Sequence, residues 1–185
     1  MAAPTPVRAL VHSSTLVTAG VYLIVRFSVA LTTGVSNYLL WVGAFTILIA
    51  GLRANFEFDL KKVIALSTLS QLGLIIRTVG AGLPGVAFFH LLSHALFKAL
   101  LFMCAGLVIH SVGDTQDIRA IGGVLMVMPA VGCLITIANL ALCGAPFLTG
   151  FYSKDLILEI FITGRARPLL FVVYAVATGL TVRYT

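Results

Sequence analysis

Two histidines and a lysine lie in the middle of an otherwise apolar stretch of this sequence. His90, His94 and Lys98 are spaced four residues apart, so on an α-helix they form one polar stripe with roughly 6 Å between neighbours. A helix over residues 86–109 would be about 36 Å long, enough to cross the ~30 Å hydrocarbon core of a bilayer. Lys98 would then lie near the bilayer centre, where a charge costs at least ~2.5 to 3.5 kcal/mol. Titratable groups at this spacing can pass a proton along, directly or through water.

The three groups repel one another when charged, since two unit charges ~6 Å apart interact by about 2.8 kcal/mol at an effective dielectric of ~20. We therefore expect the stripe not to carry three charges at once. Other interpretations remain open. His90 and His94 could be structural histidines, or could ligate a haem or a metal in an electron-transfer membrane protein, although the sequence has no third ligand motif. A purely structural bundle is a further alternative.

A second cluster of polar residues follows a predicted helix break. Pro146 lacks an amide hydrogen and glycines flank it, so we expect the helix to be broken near Gly144 to Gly150. Non-helical backbone at membrane depth is tolerated where it is buried in protein or lines a wet cavity. Ser153, Lys154 and Asp155, just beyond the break, are therefore candidates for part of an ion path. The alternative is that Lys154 and Asp155 simply lie at an interface.

Two weaker signals come from earlier segments. The helix predicted to start at Leu60 has Asp59 as a candidate N-cap, and it carries side chains that could either bond to neighbouring helices or line water. Those side chains are Ser67, Thr68, Ser70 and Gln71. His12 lies about one turn into a hydroxyl-rich first segment.

Composition places these residues in a membrane protein. Of its 185 residues, 60% are hydrophobic and only 10% are charged, whereas soluble domains carry about 25% charged residues. The mean hydropathy is +1.11. We predict an all-α, polytopic transmembrane helical bundle of about six segments. They cover residues 8–27, 36–52, 60–79, 85–110, 121–163 with the break, and 168–183. The connections are short, so residues 1–185 are expected to form a single transmembrane domain in contact with lipid.

Charge and cysteine content exclude several classes. The net charge of +6 comes from basic residues scattered singly, which is not the stripe of a nucleic-acid-binding protein. Cys104, Cys133 and Cys143 have no paired spacing and lie in apolar segments, so we expect neither a disulfide nor a metal site. The amino terminus lacks the charged region and cleavage site of a signal peptide. Basic residues divide evenly between the two faces, so the positive-inside rule gives no orientation.

Four blocks, at residues 3–22, 55–73, 88–102 and 150–155, closely resemble the mitochondrial NADH-ubiquinone oxidoreductase chain 5 family. These are the distal antiporter-like subunits of respiratory complex I, related to subunits of cation/proton antiporters. The resemblance implies that the chain corresponds to the central and later helices of a subunit about three times as long. It implies proton translocation in the mitochondrial inner membrane, beside other membrane-arm subunits, with internal water in the path. NADH, FMN, iron–sulfur clusters and ubiquinone would be bound by other subunits, and no cofactor by this chain.

The resemblance also implies roles for single residues. Lys98 looks like the family's central proton-carrying lysine, and His90 and His94 like its partners on the polar axis. Lys154 looks like the lysine of the second broken helix, near proton exit, with Asp155 beside it. His12 looks like the histidine of the first broken helix, bridging toward the central lysine. The family's glutamate and its other lysine belong to earlier helices.

Four arginines depart from the family pattern, which more often has small or hydroxyl residues there. They are Arg8, Arg53, Arg77 and Arg183, and Arg8 and Arg77 fall in apolar segments that should resist a charge. Some invertebrate mitochondrial codes read AGA and AGG as serine. Our hypothesis is that these four positions are serine codons read with the standard code.

Overall fold

The computed structural model describes residues 15–163 and 168–185, and the regular structure in these two ranges is helical. Within the described ranges there are eight α-helices: α1 (Leu16–Arg26), α2 (Thr33–Ala54), α3 (Leu60–Gly80), α4 (Pro84–Ser111), α5 (Val124–Val127), α6 (Pro129–Cys143), α7 (Thr149–Thr163) and α8 (Pro168–Tyr184). Two 3₁₀ turns, Ser28–Ala30 and Ile118–Ala120, lie in connections. The all-α fold class predicted from the sequence is confirmed.

Long apolar runs became the longest helices. Three of them, α2, α3 and α4, are long and apolar enough to cross a membrane by length and composition. The predicted bounds of α3 and α4 agree with the structure to within one residue at each end. The first predicted segment, residues 8–27, lies partly outside the described residues.

The predicted segment 121–163 is more fragmented than we expected. It was predicted as one helical stretch with one break, whereas the structure contains α5, α6 and α7. The extra interruption falls at Met128, just before Pro129, because proline disfavours helical backbone in the residue that precedes it. The expected break is present between Cys143 and Thr149, so Gly150 lies inside α7 and not in the break.

Prolines and one aspartate mark where helices begin. Pro84 and Pro129 occupy the first turns of α4 and α6, where the missing amide hydrogen has no intrahelical acceptor in any case. Asp59 precedes α3 as predicted, but its carboxylate makes no capping bond. It lies instead 2.5 Å from the ammonium group of Lys62, which competes for the same oxygen atoms.

The most extensive helix contact is between α2 and α3, and α3 in turn packs on α4. Helix α4 also contacts α6 and α7, so it lies at the centre of the described bundle. An apolar cluster built around Phe97, Leu101, Phe102 and Leu142 joins α4 to α6. This core lies beside the end of the polar stripe that carries Lys98.

Candidate functional site: a buried polar axis

The polar stripe predicted on α4 is a structural fact. His90, His94 and Lys98 lie on one side of the helix, and each of the three is 0% exposed. The ring centroids of His90 and His94 are 6.4 Å apart, in agreement with the spacing expected one turn apart. Three ionisable side chains are therefore enclosed within the protein and do not face the lipid.

His90 is held at both ring nitrogens. Its Nδ1 atom lies 2.8 Å from the hydroxyl oxygen of Ser153 on α7, and its Nε2 atom lies 3.1 Å from the amide oxygen of Gln71 on α3. Because a carbonyl oxygen only accepts hydrogen bonds, Nε2 carries the hydrogen and donates it to Gln71. The ring thus connects three helices and has a fixed orientation.

His94 is held differently. Neither of its ring nitrogens has a hydrogen-bond partner among the described residues. The ring packs edge-on against Phe97, with 5.5 Å between the ring centroids. Since packing and not hydrogen bonding fixes this ring, its nitrogens are not committed to a protein partner in the described part of the chain.

Lys98 is anchored to α3. Its ammonium group donates a hydrogen bond to the hydroxyl of Ser67, and that hydroxyl also bonds to the carbonyl oxygen of Ile64, 2.8 Å away. Both Lys98 and Ser67 are buried. A buried ammonium group requires such a polar acceptor, because desolvation would otherwise disfavour its charged form strongly.

Lys154 uses the end of a broken helix as its acceptor. Its ammonium group donates to the backbone carbonyl of Leu142 in the last turn of α6. The last four carbonyls of a helix have no intrahelical donor, and the helix dipole makes that end negative. The break therefore creates an acceptor for a buried cation.

Two glycines produce this geometry. Gly144 ends α6 in the left-handed region, at φ 85°, which suits glycine because it has no Cβ. Gly150 lies so close to α6 that a Cβ atom there would be 1.8 Å from the carbonyl oxygen of Ala141. The first turn of α7 can therefore rest directly on the end of α6, which places Lys154 beside Leu142.

The remaining predicted site residues are not part of this buried cluster. Asp155 is exposed, on a different side of α7 from Ser153 and Lys154, which are both buried. His12 lies outside the described residues. The structure thus brings together four of the six candidates: His90, His94, Lys98 and Lys154.

A cavity of about 210 Å³ reaches the acceptors of both lysines. Its walls include Ser67, which accepts from Lys98, and Leu142, whose carbonyl accepts from Lys154. Asn139 and Tyr184 supply further polar groups to the lining. A volume of this size is large enough for several water molecules, at ~30 Å³ each.

Sequence reasoning missed one buried charge arrangement. The guanidinium carbon of Arg77 lies 4.2 Å from the ring centroid of Phe161 and 5.5 Å from that of Tyr174, and Arg77 is 0% exposed. Stacking on aromatic faces stabilises a guanidinium group that has lost its water. Aromatic residues on α7 and α8 were the only signal, and their helix pairing with α3 was not readable from the sequence.

Within the described residues, no group of three histidine, cysteine or acidic side chains is arranged to hold a metal ion. Cys104, Cys133 and Cys143 are free thiols. The four clustered candidates are three nitrogen bases on α4 and one on α7, with hydroxyl, amide and carbonyl groups as partners. Such a set suits the transfer of protons.

Comparison with known proteins identifies relatives of this arrangement. The family model described as NADH:quinone oxidoreductase/Mrp antiporter, transmembrane, matches residues 1–181. The chain is 60% identical to NADH-ubiquinone oxidoreductase chain 5 of Aedes aegypti. The alignment covers the whole of this chain and 32% of the Aedes aegypti protein. The same protein of Lumbricus terrestris is 51% identical, and here the chain covers 33% of it. The chain thus spans about a third of the length of the curated relatives that it matches.

A solved structure shares the fold. It belongs to the membrane-bound sulfane sulfur reductase, an archaeal respiratory membrane complex, with a TM-score of 0.88 and 24% sequence identity. The similarity covers 99% of this chain and 39% of the other. At that level of identity the likeness concerns the fold alone.

Proposed function

Since this chain belongs to the NADH:quinone oxidoreductase/Mrp antiporter transmembrane family, we propose that it is a proton-translocating segment of a respiratory complex I membrane subunit. Protons would move along the buried axis formed by His90, His94, Lys98 and Lys154. Electron transfer in other subunits would drive the movement. The single observation that supports this most strongly is the complete burial of the three-residue stripe on α4. Burying an ionisable group in a membrane helix costs free energy, so such groups are rare and mark functional sites.

Each residue has a distinct proposed role. Lys98 is the central proton carrier, held near Ser67 when charged. His90 and His94 extend the path by two helical turns toward the start of α4. Lys154 receives or releases the proton beside the end of α6. Asp155, on the exposed side of the same helix, stands next to Lys154 on the exit side of the path.

Electrostatic coupling links the two lysines in this proposal. In this proposal the charge of Lys154 would act on Lys98, because one cavity is lined by the residues that accept from both ammonium groups. In a water-poor interior such a charge is screened less than at a surface. Loading one lysine would therefore disfavour a charge on the other, and the proton would be passed on and not stored. His12 stays in the proposal on the resemblance alone.

The same relatives support a proposal for the location and the partners of the chain. We place the chain in the mitochondrial inner membrane, as several transmembrane helices of one domain over residues 1–185 that is part of a longer subunit. Its neighbours would be lipid and other membrane-arm subunits. The redox groups, NADH, FMN, iron–sulfur clusters and ubiquinone, would belong to other subunits, and this chain would hold none.

The haem- or metal-binding alternative fits the donor set poorly. Both ring nitrogens of His90 are engaged, by Ser153 and by Gln71, so ligation would require breaking one of these bonds. A cation/proton antiporter subunit remains compatible with the family model, which covers both kinds of protein. Ion dependence separates the two, because an antiporter needs a counter-ion gradient and a complex I subunit needs NADH oxidation.

The test compares Lys98→Met and Lys154→Met in the full-length subunit within its assembled complex, reconstituted in liposomes. The measured quantity is the number of protons moved per NADH oxidised. We expect a clear fall for both variants, because methionine keeps the apolar stem but cannot carry a proton. An unchanged proton ratio in Lys98→Met would exclude a central role for this residue.

Lys62→Met serves as the matched control. Lys62 is an exposed lysine on α3, paired with Asp59, and it lies outside the buried axis. Its loss should leave the proton ratio unchanged. In a purely structural bundle, by contrast, we expect Lys98→Leu to leave the stability of the fold unchanged or to raise it. The buried charge would then contribute only its desolvation cost.

A further inference from the structure

The hydroxyl of Ser153 has two possible acceptors at hand. One is Nδ1 of His90, 2.8 Å away, and the other is the backbone carbonyl of Gly150, 3.3 Å away in the first turn of α7. A hydroxyl has a single hydrogen to donate and also accepts. Ser153 can therefore donate to only one of the two at a time.

The choice depends on the protonation of His90. In the neutral ring, Nε2–H donates to Gln71, so Nδ1 is an acceptor and Ser153 donates to it. When a proton is added at Nδ1, that atom becomes a donor and the Ser153 oxygen becomes its acceptor. The serine hydrogen must then turn to the Gly150 carbonyl.

We propose that Ser153 is a positioning residue that lets His90 exist in both protonation states inside the protein and that transmits the state of His90 to the broken helix. No proton leaves Ser153 in this exchange. The added proton stays on His90 until the path carries it on, and the serine only rotates about its Cβ–Oγ bond. This inference rests on the proposed function of the axis.

The change of Ser153 from donor to acceptor, called the switch below, matters because the groups involved are buried. Ser153 and His90 are both 0% exposed and Gln71 is 2% exposed, so bulk water cannot replace a missing partner. A charged imidazolium without an acceptor on one nitrogen would be strongly disfavoured. With Ser153 and Gln71 present, every nitrogen–hydrogen group of His90 has an acceptor in either state.

The position of Ser153 connects two parts of the path. It directly precedes Lys154 on α7, and Gly150 is the residue that rests on Ala141 at the end of α6. Among the described residues, the titratable groups facing His90 are His94 on its own helix and Lys154 on α7. From α3 it faces the neutral amide of Gln71.

The experiment is the pH profile of proton translocation in Ser153→Ala, measured in the full-length subunit within the reconstituted complex. Alanine removes the acceptor of the charged ring, so His90 should take up its proton only at lower pH. We expect the fall in protons moved per NADH at alkaline pH to begin about one pH unit lower than in the unchanged protein.

Ser93→Ala is the matched control. Ser93 is also a buried serine, but its hydroxyl bonds to the backbone carbonyl of His90, 3.0 Å away, and not to the ring. Its pH profile should stay unchanged. If Ser153→Ala does not assemble, Ser153→Cys takes its place, because a thiol of similar size is a weak donor and acceptor and should give a smaller shift in the same direction.

The outcomes separate this inference from the proposed function. A normal pH profile in the assembled Ser153 variant, together with lost pumping in Lys98→Met, would overturn the switch and leave the axis intact. Pumping that survives in Lys98→Met would count against the axis itself. An equal shift in Ser93→Ala would mean that any buried hydroxyl near His90 has this effect, which also overturns the switch.

Discussion

The ammonium group of Lys154 donates a hydrogen bond to the backbone carbonyl of Leu142, across the gap between α6 and α7. This bond joins a buried cation to the negative end of a helix that stops inside the bundle. We therefore predict an effect of Lys154→Met on stability. The carbonyl would lose its donor while buried, which costs about 1 to 3 kcal/mol, so the assembled complex should be inactivated by heat more readily as well as pump fewer protons.

Asp155→Asn is the neighbouring control for that variant. Asp155 is exposed and lies on another side of α7. Its loss should change the folding stability by no more than about 0.5 kcal/mol and leave heat inactivation nearly unchanged. A variant of Lys154 that is as heat-resistant as the Asp155 variant would contradict a stabilising contact with Leu142.

Ser67 is the acceptor on which the charged form of Lys98 depends. In Ser67→Ala the ammonium group loses this partner, and hydrogen bonds to charged groups contribute about 1.5 to 3 kcal/mol. We therefore expect the alkaline limit of proton translocation to shift to lower pH, since Lys98 would release its proton more readily. The pH dependence of protons moved per NADH measures this.

Thr78→Val provides the comparison on the same helix. The Thr78 hydroxyl is fully buried, but it bonds to the carbonyl of Leu74 one turn earlier. Valine has nearly the same shape, and removal of a hydroxyl that only bonds to its own helix should leave the pH profile in place. A shift as large as that of Ser67→Ala would indicate a general effect of buried hydroxyls on α3.

The sequence was sufficient to predict the stripe but not its partners. Periodicity fixed His90, His94 and Lys98 on one side of α4, because that relation depends only on helix geometry. The partners of these residues depend on how helices pack. That Ser153 meets His90, from 63 positions further along the chain, follows from tertiary contacts which no local pattern encodes.

The broken helix shows the same limit. Glycines and Pro146 predicted a break, and a break exists, but its ends were displaced and Gly150 lies within α7. The acceptor for Lys154 is a backbone carbonyl, which every residue has, so no side-chain signal could have identified Leu142. The second interruption, before Pro129, was readable in principle from the effect of proline on the preceding residue.

The coding DNA tests the hypothesis about the four arginines. Arg53 and Arg183 are exposed, Arg8 lies outside the described residues, and Arg77 is enclosed by Phe161 and Tyr174. We expect AGA or AGG codons at all four positions, and mass spectrometry of the natural protein should then find serine at each. CGN codons would contradict the hypothesis and would mean that the natural protein has an arginine at each such position.

Gly150→Ala is expected to separate α7 from α6. The added Cβ would fall 1.8 Å from the carbonyl oxygen of Ala141, and that atom is backbone, so it cannot turn aside. Relief requires the two helices to move apart, which typically costs 1 to 3 kcal/mol and would withdraw Lys154 from Leu142. Gly20→Ala is the control, because a Cβ there meets no atom within 4 Å and alanine favours a helix by up to about 1 kcal/mol. Heat resistance and protons moved per NADH should both fall in the first variant and not in the second. Normal pumping in Gly150→Ala would show that the close approach of the two helices is not needed for the path.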